Sequence, residues 1–302
     1  MSVLAIIAAL VLEQWRPLGD RRMALRALVG WARWFERTLN AGEARHGAIS
    51  WVLAVVPVCL LAIGAQYLTS AASPFLALLF NVAVLYLTLG FRQFSHYFTA
   101  IQAAMREGNL DLARQVIGTW RGEVIQVETR EELIRLTIES ALLASHRHVF
   151  GVLFWYLLLP GPAGALLYRL SFFLSRRWGQ QGKFGQFSGK IFGLLEWPAV
   201  RLTAASFAAV GDFEDAVYCW RTQAPGWPDR NEGIVLAAGA GAMGVRLGAS
   251  LEQYGEIESR PELGVGELSN IPFLDSVVGL LWRALVLWIF VTVLLAVASA
   301  FG

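Results

Sequence analysis

The run from Ile49 to Leu68, ISWVLAVVPVCLLAIGAQYL, carries no charged residue. A stretch of roughly 20 apolar residues is what a helix needs to cross the hydrocarbon layer of a bilayer. Pro57 within it is no obstacle, because neighbouring helices re-satisfy the carbonyl that a proline frees. The run therefore predicts a transmembrane helix and a lipid bilayer as the main solvent. Composition agrees. Of 302 residues 56% are apolar and 16% charged, where a soluble domain carries about 25% charged residues; the mean hydropathy is +0.51. After a turn at TSAAS, residues 74–91 predict a second span with Asn81 near its middle, suited to a hydrogen bond between helices. Residues 277–301 predict a last span, in which Arg283 can snorkel to the interface. The N-terminal apolar run, residues 3–13, is short for a span; with neither a basic n-region nor a small-residue cleavage site before Trp15, it reads as retained.

Residues 93–148 are charged and amphipathic. They predict a pair of helices on the cytoplasmic side, packed against the membrane part: one in MREGNLDLARQVIGTW, and one in TREELIRLTIESALLASHRH, where Thr129 and Glu132 have capping-box spacing. Their charges read as a solvated face. The next apolar stretch, residues 149–174, is interrupted by LPGPAG. Pro160 and Pro162 each lack a donor, and Gly161 and Gly164 favour a turn. Two half-length helices, a broken or re-entrant hairpin, fit better than one span, and such breaks are tolerated only where buried in protein or lining a cavity. No acidic residue follows until Glu196, while Arg169, Arg176, Arg177, Lys183 and Lys190 do, so the positive-inside rule puts the hairpin mouth in the cytoplasm and both termini outside. The predicted fold class is all-α: a polytopic integral membrane protein in one domain, residues 1–302, with the four spans, the broken hairpin and cytoplasmic-side amphipathic helices.

Several function classes fall away. The net charge of +2 comes from local arginine clusters rather than from a basic stripe with interleaved aromatics, so nucleic acid is not an expected partner. Cys59 and Cys219 sit in unlike contexts, and no disulfide or thiolate metal site is expected. His146 and His148, at i,i+2 spacing, do not share a helix face, and no metal site is expected there. Asp212, Glu214 and Asp215 read as a helix-start charge set. The Gly- and Ala-rich GIVLAAGAGAMGVRLGAS lacks a preceding strand and the G-x-G-x-x-G spacing, which leaves close helix packing as its reading. Trp31, Trp34 and Phe35 with Arg26, Arg33 and Arg37 predict an amphipathic helix that anchors at the membrane interface or serves as a homodimer surface.

The order of segments EQWRP, YFTAIQAAMREGNLDLAR, FWYLLLPGPAGALLYR, EWPAVRL and AGAGAMGVRLG…YGE…RPELG resembles the CobD/CbiB family of cobalamin-biosynthesis membrane proteins across nearly the whole chain. The resemblance implies a multi-pass protein of the bacterial inner membrane. The family's enzymes, adenosylcobinamide-phosphate synthases, join adenosylcobyric acid to aminopropanol or its phosphate with ATP and magnesium; the AmpE proteins, linked to β-lactamase induction, belong to the same family. Gly151, Pro162, Tyr168, Arg201, Asn231, Leu247, Gly248, Tyr254, Gly255, Pro261 and Gly264 look like retained family positions. From these the resemblance implies Tyr168, Arg169, Arg201, Asn231 and Tyr254 as candidate ligand-binding residues.

The acidic motifs differ. Where the enzymes carry Glu-Asn-Thr-Val-Asp-Gly, this chain has His146-Arg147-His148-Val149-Phe150-Gly151; where they carry Asn and Asp after the Tyr-Arg/Lys it has Phe172 and Ser175, and further acidic family positions fall on Phe192, Gly193 and Leu236. Magnesium needs hard oxygen ligands, and losing even one electrostatic stabiliser lowers a rate about 100- to 1,000-fold. The sequence therefore reads first as a catalytically degenerate, AmpE-like member with a regulatory role, binding a protein partner or a corrinoid-like ligand without a cofactor. The alternative is a working synthase with relocated acids, for which Glu139, Glu196 and Glu232 are the candidates and ATP and magnesium are required. A small-molecule transporter is a third reading, resting on the broken hairpin alone.

Overall fold

The computed structural model describes residues 2–15, 21–127, 129–253 and 256–301. It is all-α apart from four strands of two or three residues. Three helical stretches are long and apolar enough to cross a membrane, Ala44–Ala72, Arg130–Leu158 and Ile271–Ser299, and two shorter apolar helices are Ser2–Trp15 and Pro74–Thr88. The protein is an all-α membrane protein. Its chain folds into two compact units, Met1–Gly90 with Gly151–Ala199, and Phe91–Phe150 with Val200–Gly302.

The first unit holds α1 (Ser2–Trp15), α2 (Arg21–Leu39), α3 (Ala44–Ala72), α4 (Pro74–Thr88), α8 (Gly151–Leu158), α9 (Ala163–Trp178) and the first part of α10 (Gly182–Val210). Helix α3 turns small residues inward, Gly47, Ser50 and Ala54, and exposes Ile49, Val52, Leu53, Leu60 and Leu61, the pattern of a helix with lipid on one side. At the α3–α4 turn, Ser73 caps α4 by accepting the Phe75 N–H, and Pro74 fills the first helical position, where no donor is needed. Asn81 of α4 does bond between helices: its amide donates to Gln66 of α3 at 2.7 Å and accepts the hydroxyl of Tyr156 of α8 at 2.9 Å. Three helices are joined by neutral groups, the cheapest polar link where water is scarce.

The interruption at LPGPAG is a real break. Helix α8 ends at Leu158, α9 starts at Ala163, and the two pack on each other. Gly161 has φ +60°, and at Gly164 a Cβ would lie 1.9 Å from the carbonyl oxygen of Trp155. The turn thus needs a left-handed residue at one position and a bare backbone at the other.

The second unit holds α5 (Phe91–Arg106), α6 (Leu110–Arg121), α7 (Arg130–Ser145), a π-helical turn (His146–Phe150), the rest of α10, α11 (Phe213–Thr222), α12 (Arg230–Met243), the strand pairs β1–β4 (Leu247–Gly248 with Glu262–Leu263) and β2–β3 (Leu251–Gln253 with Glu256–Glu258), and α13 (Ile271–Phe301). The expected capping box forms: Thr129 accepts the Glu132 N–H and donates to its carboxylate. Asp212 likewise caps α11 through the Asp215 N–H. The Gly-Ala segment is α12, buried from Gly233 to Ala242. A Cβ at Gly241 would lie 2.4 Å from the Asp215 carbonyl, and one at Gly239 would lie 2.8 Å from the Leu142 side chain, so its small residues admit the α11 backbone and a leucine of α7.

Helix α7 departs from expectation. The sequence reading put it in a solvated cytoplasmic-side group ending at residue 148. Instead 12 of its 16 residues are buried, and the helix continues through the π turn into α8, making Arg130–Leu158 one apolar stretch. Its polar residues are internal because each finds a charged or backbone partner inside the second unit. A pattern of charges among apolar residues does not distinguish a solvated face from a paired one.

Helix α2 also differs in part. Phe35 and Ala32 enter the core with Trp51, Leu174, Trp178 and Phe184, and Trp31 packs against them. Trp34, 58% exposed, is the aromatic left outside.

Candidate functional site

The polar chemistry of the second unit gathers around α7. Glu139 is 2% exposed. Its Oε1 accepts the backbone N–H of Gly248 at 2.9 Å, and its Oε2 accepts from Arg260 at 3.0 Å. The Arg260 guanidinium lies over the ring of Trp227, 5.3 Å from its centroid, and donates to the carbonyls of Ala249 and Gly248. A buried carboxylate persists as a charge only when paired and hydrogen-bonded in this way.

The backbone that presents these groups depends on glycine. Leu247 and Gly248 pair antiparallel with Leu263 and Glu262, and the Ala249 N–H donates to the Pro261 carbonyl. Gly248 has φ +70° and a Cβ there would lie 2.2 Å from the Pro261 oxygen; Gly264 has φ +89° and a Cβ would lie 2.1 Å from the Val245 oxygen. Gln223 closes the same loop, donating to the Gly264 carbonyl and accepting its N–H. These contacts explain why a VRLG…RPELG run needs its glycines.

One turn before Glu139 on the same helix, Arg135 donates to the Ser250 carbonyl at 3.4 Å and lies 3.8 Å from Glu132. Its Nε is buried and has no hydrogen-bond partner among the described residues. Such a donor is suited to an anionic oxygen. Further along, Arg147 pairs with Glu232 at 2.5 Å. Glu232 and Asn231 lie in the first turn of α12, where Asp229 accepts both their backbone N–H groups. Nδ1 of His146, in the π turn, is 2.9 Å from the Thr203 hydroxyl. Arg201 lies on α10, half-buried. Tyr254 lies outside the described residues. An open cleft of about 720 Å³ borders α6, lined by residues such as Asp111, Arg114, Thr119 and Glu123; no retained family position lines it, and it is not taken as the site.

In the first unit, Tyr168 of α9 is fully buried, its ring 5.6 Å from that of Phe192. At Gly151 a Cβ would lie 2.4 Å from the Tyr168 ring, so this glycine makes room for the tyrosine. Phe192, at a position where the resemblance implies an acid, and Phe172, where it implies an asparagine, have ring centroids 5.3 Å apart. The Arg169 guanidinium lies 5.7 Å from the Phe172 centroid. Glu196 of α10 is 3% exposed.

The sequence candidates are thus divided: Tyr168, Arg169 and Glu196 in the first unit, Glu139, Arg201, Asn231 and Glu232 in the second. Arg260 and Arg135 were missed as site residues, although Arg260 stands directly before Pro261 in the RPELG run. Among the described residues no three His, Cys, Asp or Glu side chains converge as metal ligands. Both Glu139 oxygens are taken by donors and Glu232 faces Arg147, whereas magnesium requires carboxylate oxygens at about 2.0–2.1 Å in near-octahedral array. The described residues do not fit a magnesium ion held by protein carboxylates.

The family model described as CobD/Cbib protein matches residues 6–299. The chain belongs to the CobD/CbiB family. Among similar proteins, the cobalamin biosynthesis protein CobD of Stutzerimonas stutzeri is 34% identical over 300 residues, covering 96% of this chain and 97% of the relative. That of Chromobacterium violaceum is 36% identical over 251 residues, 80% and 77% of the two chains, and that of Leptospira interrogans is 26% identical over 221 residues, 66% and 69%. No solved structure matches. Membership of the CobD/CbiB family gives the Gly248, Pro261 and Gly264 geometry its context: this member holds the late hairpin against α7 through one buried carboxylate.

Proposed function

We propose that this chain acts in cobalamin biosynthesis at a bacterial inner membrane, as a multi-pass adenosylcobinamide-phosphate synthase joining adenosylcobyric acid to aminopropanol or its phosphate. The observation that carries this reading is the match over residues 6–299 together with full-length similarity to a relative bearing the biosynthetic name. The comparisons thereby favour the alternative reading of the sequence over the degenerate one. In the second unit Arg201 and Asn231 are the proposed ligand contacts, and the buried Nε–H of Arg135, unpartnered among the described residues, suits a phosphate oxygen of the amine substrate. Amide ligation with ATP and magnesium is what the family resemblance implies for this reaction.

A second reading, an AmpE-like regulator or binder of a corrinoid-like ligand or protein partner, draws on one observation, the ring of Phe192 packed on Phe172 at a position where the resemblance implies an acid. One experiment separates the two. Expressed in a strain lacking the synthase under cobalamin-dependent growth, the gene restores growth if the biosynthetic reading is right. Protein present in the membrane without growth sinks that reading, and altered β-lactamase induction on deletion of the gene would then support the regulator.

A further inference from the structure

Beyond the proposed reaction, the first unit carries a cationic face without protein partners. Helix α2 buries Ala32 and Phe35 against Leu174, Trp178 and Phe184, which leaves Arg33, Trp34 and Arg37 exposed. On the elements packed against it, Arg176 of α9 and Lys183 of α10 are exposed as well. Glu36 is the acidic residue of α2, and its carboxylate is occupied by Arg177 at 2.5 Å and by the indole N–H of Trp178 at 2.9 Å. No acidic residue occurs between Glu139 and Glu196, nor between Glu43 and Glu107. Arg33, Arg37, Arg176 and Lys183 make no hydrogen bond or ion pair among the described residues.

Their depth is fixed by packing. A Cβ at Gly47 would lie 2.0 Å from the Phe184 carbonyl oxygen, so Lys183 sits level with the first turn of α3. Immediately past that level the exposed apolar surface of α3 begins: Ile49 is 50% exposed, Val52 43% and Leu53 49%. Lys183 therefore sits where the exposed apolar surface begins, and Arg33, Arg37, Arg176 and Trp34 belong to helices packed in the same cluster with Phe184, a placement like that which interfacial tryptophans and basic residues favour. Clusters of Lys and Arg next to a membrane helix attract anionic lipid.

We propose that Arg33, Arg37, Arg176 and Lys183 form a binding face for the phosphate headgroups of anionic phospholipids. The apolar wall beside the cations selects lipid over free phosphate, because only a lipid fills both parts of the surface. The charges act together, each strengthening binding about five-fold near an anionic surface.

The test uses the full-length protein in neutral detergent, with bound lipid counted by native mass spectrometry while phosphatidylglycerol, phosphatidylcholine or inorganic phosphate is titrated. Wild-type protein is expected to retain phosphatidylglycerol in preference to phosphatidylcholine. The variant R33Q/R37Q/R176Q/K183Q is expected to lose affinity for phosphatidylglycerol by about 100-fold or more, and the charge-retaining variant R33K/R37K/R176K/K183R to keep it within a few-fold. Equal retention of both lipids by the wild type, saturation by inorganic phosphate alone, or unchanged affinity in the glutamine variant would each overturn the proposal. A change of dimer mass in that variant with lipid affinity intact would assign the face to a second copy of the chain instead.

Discussion

The two units solve the problem of internal polarity differently. In the first, the link among α3, α4 and α8 is neutral, Gln66 to Asn81 to Tyr156, and Phe192, at a position that the resemblance makes acidic, packs on Phe172. In the second, the links are ionic and internal: Glu139 with Arg260, and Arg147 with Glu232. Neutral amide links tolerate a water-poor surrounding at small cost, whereas a buried charge must be matched group for group. The contrast is one of depth: the Arg260 and Glu139 side chains of the second unit are 9% and 2% exposed, those of Arg177 and Glu36 in the first 26% and 14%.

The largest effect expected from breaking this contrast is in the second unit. Arg260→Ala leaves Glu139 buried and uncompensated and is expected to destabilise the protein by about 3–5 kcal/mol, read as a lowered midpoint of thermal unfolding in purified protein. Replacing both partners with apolar side chains, Glu139→Leu with Arg260→Met, is expected to recover most of the loss. A single-variant cost below about 1 kcal/mol would mean that the pair does not hold the hairpin to α7.

Next in size is a packing change in the first unit. Gly151→Ala places a methyl group 2.4 Å from the Tyr168 ring, and overpacking of this kind costs about 1–3 kcal/mol. The same thermal measurement checks it; a neutral result would show that Tyr168 moves aside freely. Asn81→Ala, which removes the neutral link, is expected to cost less, about 0.5–1.5 kcal/mol. Were its cost to equal that of Arg260→Ala, the distinction between the units would collapse.

The smallest effect concerns Cys219, fully buried on α11. Burial first, and the nearby Asp215 carboxylate second, push its thiol up to about 11 from an ordinary 9.0. The folded protein keeps this proton where the unfolded chain begins to lose it, so the stabilisation is complete below pH 9.0 and is lost as pH rises to about 11. Maleimide labelling at pH 8 should leave Cys219 unmodified until denaturant is added, since the thiolate is the nucleophile. Rapid labelling of the native protein would contradict that environment.

Which parts of this architecture were legible in the sequence follows from the kind of signal each carries. Uncharged runs and proline-glycine punctuation are local, so α3, the LPGPAG break and the Thr129 cap could be read directly. The burial of α7 was not, because Arg135 and Glu139 look the same in sequence whether water or another side chain satisfies them. Their partners, Ser250, Gly248 and Arg260, stand more than a hundred residues away, and no spacing rule reaches that far. The late hairpin was legible only as a resemblance; the positive φ of Gly248 and Gly264 and their contacts with Pro261 and Val245 supply the physical cause. Tyr168 and Gly151 were picked out in the same way, and their direct contact explains why one accompanies the other.

The measurement that bears most directly on the central claim is the ligation itself. Membranes containing this protein, supplied with adenosylcobyric acid, aminopropanol phosphate, ATP and magnesium, should form the amide-linked product, and Arg135→Ala should raise the amine-phosphate concentration needed for half-maximal rate about ten-fold or more. No product above the level of membranes lacking the protein, with the protein folded and present, would contradict the account.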